Sequence, residues 1–183
     1  NSFIPSQILL IKDGSARLLG EQNGRLSTLF RLNAGSFVGL ASLLRGAPCE
    51  EVRASTELLA YSISDEELLN LIKKDQPIAE ACQGHLWEAE LAALIQLQLE
   101  RLPKQASPIS SVLTELMTKA KILDTTNTSR IHSTLNNGNR LFISSHPVDT
   151  TEFSPGDELF NAEVIPALQD RHGLPLRLIA LPK

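Results

Sequence analysis

The sequence is poor in the features that mark disulfide-bonded, membrane-spanning or nucleic-acid-binding proteins. Only two cysteines, Cys49 and Cys82, occur in 183 residues, and neither stands in a metal-type spacing, so we expect a reducing, cytoplasmic compartment. No apolar run approaches the roughly 18 residues that a membrane span needs, and no charged-then-apolar leader opens the chain. The net charge is −4, and Lys and Arg never occur in runs longer than two, which disfavours a nucleic-acid partner.

Catalytic motifs are also absent from the sequence. The four histidines, His85, His132, His146 and His172, lie in separate parts of the chain, and no nucleophile elbow, P-loop or H-E-x-x-H sequence occurs. We expect each histidine to be a surface or structural residue. The sequence thus predicts a protein that is not an enzyme, with no catalytic residue, no metal site and no cofactor.

What is present is the composition of a folded protein. Apolar residues make up 42% of the chain and charged residues 21%, which suits one ordinary domain or one domain with a smaller appended unit. The polar runs 124–130 and 133–139 are expected to be locally disordered. Because the chain begins at Asn1 without a methionine, we treat it as a piece of a longer protein.

The first 64 residues are patterned as short strands separated by turns. Residues 7–13 and 15–20 are apolar runs on either side of the turn signal Asp13-Gly14, which predicts a hairpin. A second turn at 21–24 precedes a strand that ends at Gly35, and residues 57–63 form a further strand. Such short turns favour an antiparallel sandwich or roll over parallel βαβ units.

From Ser64 onward the pattern is helical. Ser64 and Glu67 form a capping box, so we predict a helix from about Asp65 to Lys74. Pro77 fits the first turn of a second helix, which Pro103 ends. Along this second helix, apolar residues recur at helical spacing: Trp87, Leu91, Leu94, Ile95 and Leu102. Such a stripe covers either a homodimer interface or the chain's own core, and the spacing fits both.

The rest of the chain is predicted to hold one more helix and a mixed tail. Ser107-Pro108 begins a helix with an apolar face. Residues 140–146 and 174–181 are patterned as strands, 152–159 as a turn and 161–171 as a helix. We therefore predict an α+β protein in three parts: an antiparallel β-roll, or jelly roll, at 1–76, a helical segment at 77–123, and a C-terminal α/β segment at 124–183 that packs on the roll.

Residues 8–72 resemble the cyclic nucleotide-binding domain family, the β-roll of catabolite-activator-type regulators, cyclic-nucleotide-gated channels and kinase regulatory subunits. ILLIKDGSARLL is similar to the family's strand-glycine-strand segment, LFRLNAGSFVG to the entrance of its phosphate cassette, and VRASTELLAYSISDEELLNLI to its exit strand and helix. The resemblance covers about a third of the chain. It implies a regulatory or sensory domain that takes a nucleotide-like small ligand.

The resemblance also implies which residues would hold that ligand. In the family, a turn and a short helix present backbone N–H groups to the cyclic phosphate, an Arg neutralises its charge, and a Glu after the cassette glycine accepts from the ribose. Gly39 matches the glycine, but Leu40 replaces the Glu, and Pro48 and Cys49 stand at the positions of the Arg and the following Ser or Thr. Losing two charge-assisted contacts of roughly 1.5–3 kcal/mol each weakens binding by about 10²–10⁴-fold. We therefore expect no cyclic AMP binding of the usual kind.

Two further cassette residues complete the candidate ligand site. Arg45 precedes Gly46 in the cassette and is interpreted either as an anion contact or as an exposed loop charge. Cys49 is followed by two glutamates, which disfavour its thiolate, so we interpret it as structural. Arg53 is interpreted as the surface charge of a strand. The candidate ligand-binding residues are thus Gly39, Leu40, Arg45, Gly46, Pro48 and Cys49.

Two larger contexts fit the sequence. LLRGAPCEEVRAST resembles the degenerate cyclic-nucleotide-type domain that precedes the peptidase and membrane parts of cyanobacterial peptidase-containing ABC exporters, which implies contacts with other domains of a transporter. The alternative is a transcriptional regulator of the catabolite-activator type, in which residues 77–102 dimerise and the tail from 107 to 145 binds DNA as a winged helix. The basic residues of that tail, Lys119, Lys121, Arg130 and Arg140, are scattered, and no recognition helix is evident between 124 and 139, so this alternative ranks second.

Overall fold

The structure of the chain is a computed structural model that describes residues 3–22, 25–101, 109–148, 150, 152–161 and 169–183. In these ranges the chain is an α+β fold with three antiparallel sheets and six helices. The first two sheets form a roll, and the third holds the C-terminal strands. The fold class predicted from the sequence is confirmed, whereas the predicted domain boundaries stay a prediction.

Six short strands build the roll. They are β1 (Gln7–Asp13), β2 (Ala16–Gln22), β3 (Arg25–Leu32), β4 (Phe37–Val38), β5 (Glu51–Ala54) and β6 (Leu59–Ser64). One sheet has the order β4-β1-β6 and the other the order β3-β2-β5, and all their pairings are antiparallel. Buried residues of the two sheets include Ile8 and Ile11 in the first and Leu18 in the second.

The hairpin predicted across Gly14 is wrong. β1 pairs with β4 and β6, whereas β2 pairs with β3 and β5, so the two strands belong to different sheets. The turn at Gly14 carries the chain from one sheet to the other instead of back along the same one. A turn signal marks a change of direction, but which strands pair depends on the faces that each strand buries.

The described residues form six helices. They are α1 (Leu40–Arg45), α2 (Asp65–Lys74), α3 (Gln76–Gln83), α4 (Glu88–Glu100), α5 (Ile109–Lys119) and α6 (Thr128–Asn136). The capping box predicted for α2 is present: Glu67 N–H donates to Ser64 Oγ at 3.2 Å, and Ser64 N–H donates to the Glu67 carboxylate at 3.3 Å.

The single helix predicted from Pro77 to Leu102 is wrong, because the chain forms two helices there. Residues 84–87, which begin with Gly84, separate α3 from α4. Glycine is a poor helix former, and this residue caps the C-terminus of α3. The predicted end of the helix at Leu102 and Pro103 lies outside the described residues, as does the predicted start of the next helix at Ser107-Pro108.

The C-terminal strands form one antiparallel sheet. They are β7 (Lys121–Asp124), β8 (Arg140–Ile143), β9 (Glu158–Leu159) and β10 (Arg177–Leu181), in the order β7-β10-β8-β9. β10 is an inner strand, and four of its five residues are buried. The strands predicted at 140–146 and 174–181 are present, although both are shorter than predicted.

Two other predictions for this region differ from the structure. The disorder predicted at 124–130 and 133–139 is wrong, because β7 extends to Asp124 and α6, from Thr128 to Asn136, covers part of each run. Asn127 caps that helix by accepting Arg130 N–H at 3.1 Å, and Ile131 is buried among the strands of the sheet. The helix predicted at 161–171 falls mostly on residues 162–168, which lie outside the described residues, and Arg171 lies in a turn.

Helix α4 lies between the roll and the C-terminal sheet. On one side it contributes Leu91, Leu94 and Ile95 to a cluster that also includes Leu113 of α5 and Phe142 of β8. On the other side, Ala89 contacts Leu18 and Ala41 of the roll. The described part of the predicted apolar stripe therefore covers the chain's own core, which was one of its two interpretations.

A buried ion pair fixes α4 to the C-terminal sheet. The side chains of Glu90 in α4 and Arg177 in β10 are 0% and 2% exposed. Arg177 donates two hydrogen bonds to the carboxylate, at 2.9 Å and 2.8 Å, and Ser144 Oγ donates a third at 2.6 Å. Arg177 also donates to the backbone carbonyls of Gln83 and His85 at 2.9 Å and 2.7 Å. One side chain thus joins the α3–α4 connection, α4 and the sheet.

We predict that breaking this pair from one side destabilises the protein more than removing both partners. Arg177→Met leaves a buried carboxylate without its counter-charge and should lower the free energy of unfolding by about 3–5 kcal/mol. The double variant Glu90→Leu/Arg177→Met should recover much of that loss. Urea titration followed by circular dichroism measures each change, with Lys119→Ala, which breaks an exposed pair to Glu115, as a control that should leave the midpoint unchanged. A loss under about 1 kcal/mol for Arg177→Met would contradict the assignment.

The same pair predicts a dependence of stability on pH. Burial raises the pKa of Glu90, but the charge and hydrogen bonds of Arg177, together with Ser144, outweigh it and hold that pKa below its ordinary value. Ionised Glu90 therefore contributes stability above the ordinary carboxyl pKa, and the contribution is lost as the pH falls through the lower, folded value. Unfolding of the wild type in acid should become easier relative to the double variant, and parallel pH profiles for the two proteins would contradict this.

Candidate functional site

Helix α1 and its flanking glycines form the centre of the site that the sequence predicts. Gly39 caps the helix with a φ of 90°, and a Cβ there would come within 2.7 Å of the Pro5 ring, so only glycine fits. Gly46 ends the helix with a φ of 64°. All six residues of α1 are buried, and Leu40 packs in the core beside Ile8. The side chain that replaces the family's ribose-binding acid therefore does not face a ligand.

The N-terminal amides of α1 are bonded to a carboxylate of the chain itself. One oxygen of Glu50 accepts Gly39 N–H at 2.9 Å, and the other accepts Ser42 N–H at 2.9 Å and Ser42 Oγ–H at 2.8 Å. The first N–H groups of a helix lack partners within the helix and favour negative charge. Glu50 thus supplies the anion to the donors that the family resemblance assigns to a phosphate.

The chain between α1 and β5 holds this carboxylate in place. Cys49 N–H donates to Ser42 Oγ at 3.1 Å, and the Cys49 sulfur lies 3.6 Å from the same hydroxyl. The Ser42 hydroxyl therefore connects the backbone of Cys49 to the carboxylate of Glu50. Pro48 is exposed beside them and has no N–H to offer.

Arg45 is not the exposed loop charge that one interpretation of the sequence expected. Its residue is 3% exposed, its Nε donates to the carbonyl oxygen of Ser144 at 2.8 Å, and its own carbonyl accepts His146 N–H at 2.7 Å. The arginine is buried because the segment after β8 covers the end of α1, and the sequence gives no sign of that contact. Arg53, in contrast, pairs with Glu51 at the surface, as interpreted.

The structure divides the six predicted residues between the two ends of α1. Gly39 and Leu40 lie at its N-terminal end, next to the Glu50 carboxylate. Arg45 and Gly46 lie at its C-terminal end, and Pro48 and Cys49 line a cavity together with Arg45. The six residues therefore do not converge on one ligand position.

The space inside the roll beside α1 is nearly filled. Trp87 and Ala89, at the start of α4, pack against Leu18, Phe30 and Leu32 of the roll. The cavity left between these elements is about 20 Å³, which holds at most a water molecule. A wider cavity of about 610 Å³ lies outside, where Pro5, Val38, Gly39 and Glu50 form part of its wall.

Sequence reasoning missed Glu50, which it treated only as a charge beside Cys49. A detectable signal was present, because a cassette that keeps its glycine but lacks the arginine still exposes N–H groups that need an acceptor. A nearby acid is the group best suited to them. Glu90 and Arg177 were missed as well, since nothing in their spacing of 87 residues links them.

The Cys49 thiol is held in its neutral form. Desolvation raises its pKa to about 11, and the nearby Arg45 charge and the Ser42 hydroxyl only partly oppose that rise. The sequence interpretation, a structural cysteine with a disfavoured thiolate, assigned the effect to the adjacent acids. Glu50 does contribute, but burial is the larger cause. In the described ranges, no three His, Cys, Asp or Glu side chains gather as metal ligands would, and no helix is long and apolar enough to cross a bilayer.

Comparison with known proteins finds a family match over the roll. Residues 4–75 match the sequence model of the cyclic nucleotide-binding domain family. No curated protein sequence matches the chain. Among solved structures, the chain is similar to the catabolite activator protein of Thermus thermophilus, with 24% identity over 55% of this chain and 44% of that one, and a TM-score of 0.38.

Two further solved structures are similar to the chain. The c-di-GMP responsive global regulator of Xanthomonas campestris is 20% identical over 74% of this chain and 59% of its own, with a TM-score of 0.40. A cyclic nucleotide-binding domain from Methylobacillus flagellatus is 19% identical over 56% of this chain and 59% of its own, with a TM-score of 0.38. The chain thus spans about half the length of these proteins.

We predict that Cys49 resists alkylation in the folded protein. With a pKa of about 11, about one thiol in a thousand is ionised at pH 8, and the thiolate is the form that reacts. Iodoacetamide at that pH should leave Cys49 unmodified in the native Cys82→Ser variant and modify it fully in urea, as measured by peptide mass spectrometry. If Cys49 is labelled in the native protein as fast as in the unfolded chain, its thiol is not kept neutral by burial.

Proposed function

We propose that this chain, whose residues 4–75 match the cyclic nucleotide-binding domain family, is a regulatory module that does not bind cyclic AMP in the family's usual way. The observation that carries the proposal is the position of the Glu50 carboxylate, which accepts hydrogen bonds from Gly39, Ser42 N–H and Ser42 Oγ. The chain keeps the fold of a nucleotide sensor, but its own side chain satisfies the phosphate donors.

Binding of a cyclic phosphate to the donors at the start of α1 is energetically unfavourable. A cyclic phosphate that reached the same N–H groups would have to displace three hydrogen bonds to a charged acceptor, each worth roughly 1.5–3 kcal/mol. It would also place its negative charge beside that of Glu50, and like charges in a partly buried site repel strongly. No guanidinium offsets this repulsion at position 48, because Pro48 stands there. The displaced hydrogen bonds and the charge repulsion therefore both oppose cyclic AMP binding of the family's usual kind.

The space inside the roll beside α1 is also too small for a nucleotide. The cavity of about 20 Å³ between the roll, α1 and the start of α4 is far smaller than the roughly 300–1,000 Å³ of small-molecule sites. Trp87 and Ala89 would have to leave the roll before a purine could enter there. Displacing them would disturb α4, which also carries the buried ion pair to Arg177.

We further propose that the module is a cytoplasmic part of a larger protein and acts through contact with its other parts, and that this protein is a peptidase-containing ABC exporter. The support is the resemblance of LLRGAPCEEVRAST to the degenerate domain of such exporters. The full reading frame around Asn1 and Lys183 tests this context, since peptidase and membrane segments following Lys183 are expected and a DNA-binding domain there would contradict it.

The alternative, a transcriptional regulator, has less support. In the described part of the tail, α6 carries the single basic residue Arg130, whereas a recognition helix in the major groove needs several donors to bases and phosphates. A DNA-binding titration at several salt concentrations separates the two functions. A steep loss of affinity with salt would favour the regulator, because it reports the release of counterions from phosphates.

We predict that the wild-type chain gives no saturable binding of cyclic AMP, cyclic GMP or cyclic di-GMP up to about 1 mM in calorimetry. The double variant Glu50→Ala/Pro48→Arg, which frees the amides and places a guanidinium in the segment between α1 and β5, should gain cyclic AMP binding. Glu51→Ala, which removes the neighbouring exposed acid, is the matched control and should behave like the wild type.

Two outcomes would contradict the proposal. Micromolar cyclic AMP binding by the wild type would show that Glu50 does not close the site. A folded double variant that binds no better than Glu51→Ala would show that some other feature excludes the nucleotide. Circular dichroism and urea midpoints establish that each variant is folded before either result is interpreted.

A further inference from the structure

A second cavity lies at the other end of α1, between the roll and the C-terminal segments. Its volume is about 570 Å³, which is within the range of small-molecule sites. Its walls are largely apolar and include Leu19, Leu26 and Leu29 of the roll, Ala93 and Leu97 of α4, and Pro155. α4 and Pro155 lie outside the residues that match the cyclic nucleotide-binding family, so this cavity is a product of how the rest of the chain packs on the roll.

Arg45, which is 3% exposed, forms part of the wall of this cavity. In the described ranges, its Nε donates to Ser144 O at 2.8 Å, and its guanidinium also interacts with the Cys49 thiol. In those ranges, no carboxylate lies within ion-pair distance of its guanidinium. A guanidinium has five N–H donors, and burying such a charge without a counter-charge is unfavourable.

The buried acid that would otherwise pair with Arg45 is already occupied. Glu90 is close enough for the Arg45 charge to lower its pKa, but its two oxygens accept from Arg177 and Ser144. Glu50 is bonded to the opposite end of α1. The Arg45 guanidinium therefore has no paired carboxylate in the described ranges, and it borders a cavity large enough to hold one.

The outer part of the same cavity carries the opposite charge. Glu21 and Glu100 line it, are exposed, and form no ion pair in the described ranges. Glu50 and Glu51 also line the cavity, but Glu50 is hydrogen-bonded to the N-terminal amides of α1 and Glu51 is paired with Arg53. A ligand of matching charge carries an anionic group for Arg45, an apolar body for the leucine walls, and a cationic group toward the exposed acids.

We propose that this cavity is a binding site for a small apolar zwitterion, and specifically for a short apolar peptide with free termini, whose carboxylate binds Arg45 and whose ammonium group faces Glu21 and Glu100. Arginine binds carboxylates through two parallel N–H donors, which gives the anchor its geometry. The proposal does not depend on the fate of cyclic nucleotides at the N-terminal end of α1.

Calorimetric titration of the chain with the dipeptide Leu-Leu tests the proposal. Leu-Leu should bind saturably, whereas N-acetyl-Leu-Leu and Leu-Leu-amide, each of which lacks one terminal charge, should bind at least about tenfold more weakly. Hexanoate, which has the carboxylate and an apolar body but no ammonium, should resemble the acetylated peptide. Absence of saturable binding up to about 10 mM Leu-Leu, or equal affinity for the amide, would overturn the proposal.

Two variants place the binding in this cavity. Ala93→Phe fills the space without removing a polar group, and it should abolish Leu-Leu binding while leaving the fold intact. Ala81→Phe, at an exposed position of α3, is the matched control and should bind like the wild type. Arg45→Lys keeps the charge but loses the planar fork, and it should weaken Leu-Leu binding more than it weakens Leu-Leu-amide binding. Undiminished binding by a folded Ala93→Phe variant would overturn the proposal.

A failure of the proposed peptide site can be distinguished from a failure of the proposed function. Cyclic AMP binding that persists in Ala93→Phe would contradict the proposed closure by Glu50 and leave the peptide site standing. Loss of Leu-Leu binding in a folded Val38→Phe variant, which fills the outer cavity beside Gly39 and does not line this one, would instead show that the peptide occupies the N-terminal end of α1, which would overturn the assignment to Arg45.

Discussion

The packing of the described parts of the chain depends on one buried ion pair, between Arg177 and the Glu90 carboxylate. Arg177 approaches it with two donors, and the same guanidinium reaches the backbone carbonyls at the α3–α4 connection. A buried carboxylate without a cation would be strongly destabilising, so α4 and β10 are held in one relative position. The roll, which contacts α4 through Ala89, takes its place against the C-terminal sheet accordingly. Arg45, in contrast, donates to the carbonyl oxygen of Ser144 and pairs with no carboxylate in the described ranges.

The two ends of α1 differ in how their donors and charges are matched. At the N-terminal end, the Glu50 carboxylate satisfies backbone donors that have no partner within the helix, and an external anion is redundant there. At the C-terminal end, Arg45 is buried without a paired carboxylate in the described ranges and borders a cavity. On the proposal made for Arg45, the chain keeps a capacity to bind an anion, although Pro48 stands at the position that the family resemblance gives to an arginine. Arg45 lies one helix length from the Glu50 site and borders a different cavity, with Glu21 and Glu100 near the opening of that cavity.

Much of the fold was predictable from the sequence, because local signals there agree with tertiary packing. The capping box of Ser64 and Glu67, the strand patterns of β6 and β10, and the glycine at position 39 are local features, and the structure contains them. The pairing of β1 with β4 and β6 was not predictable, since Asp13-Gly14 marks a turn without naming the partner strand. α6 was taken for disorder because Thr, Ser and Asn are weak helix formers, and it is stabilised by the burial of Ile131 and the Asn127 cap. The site was harder still to predict. Glu50 and Ser42 are close in sequence, but the hydrogen bond that Arg45 donates joins it to Ser144, 99 residues away.

The same distant contact bears on how such a module transmits a signal. α1 touches the C-terminal segment directly, since the Arg45 carbonyl accepts His146 N–H and Nε donates to Ser144 O. The side chain of Arg171 lies against Gly46 at the helix end, close enough that an added Cβ would meet it at 3.1 Å. A ligand at Arg45 competes with Ser144 for the orientation of one guanidinium, so binding energy at the cavity is coupled to the position of the segment after β8. Coupling of this kind is reciprocal, and it follows that any partner that moves residues 144–146 also changes the affinity of the cavity.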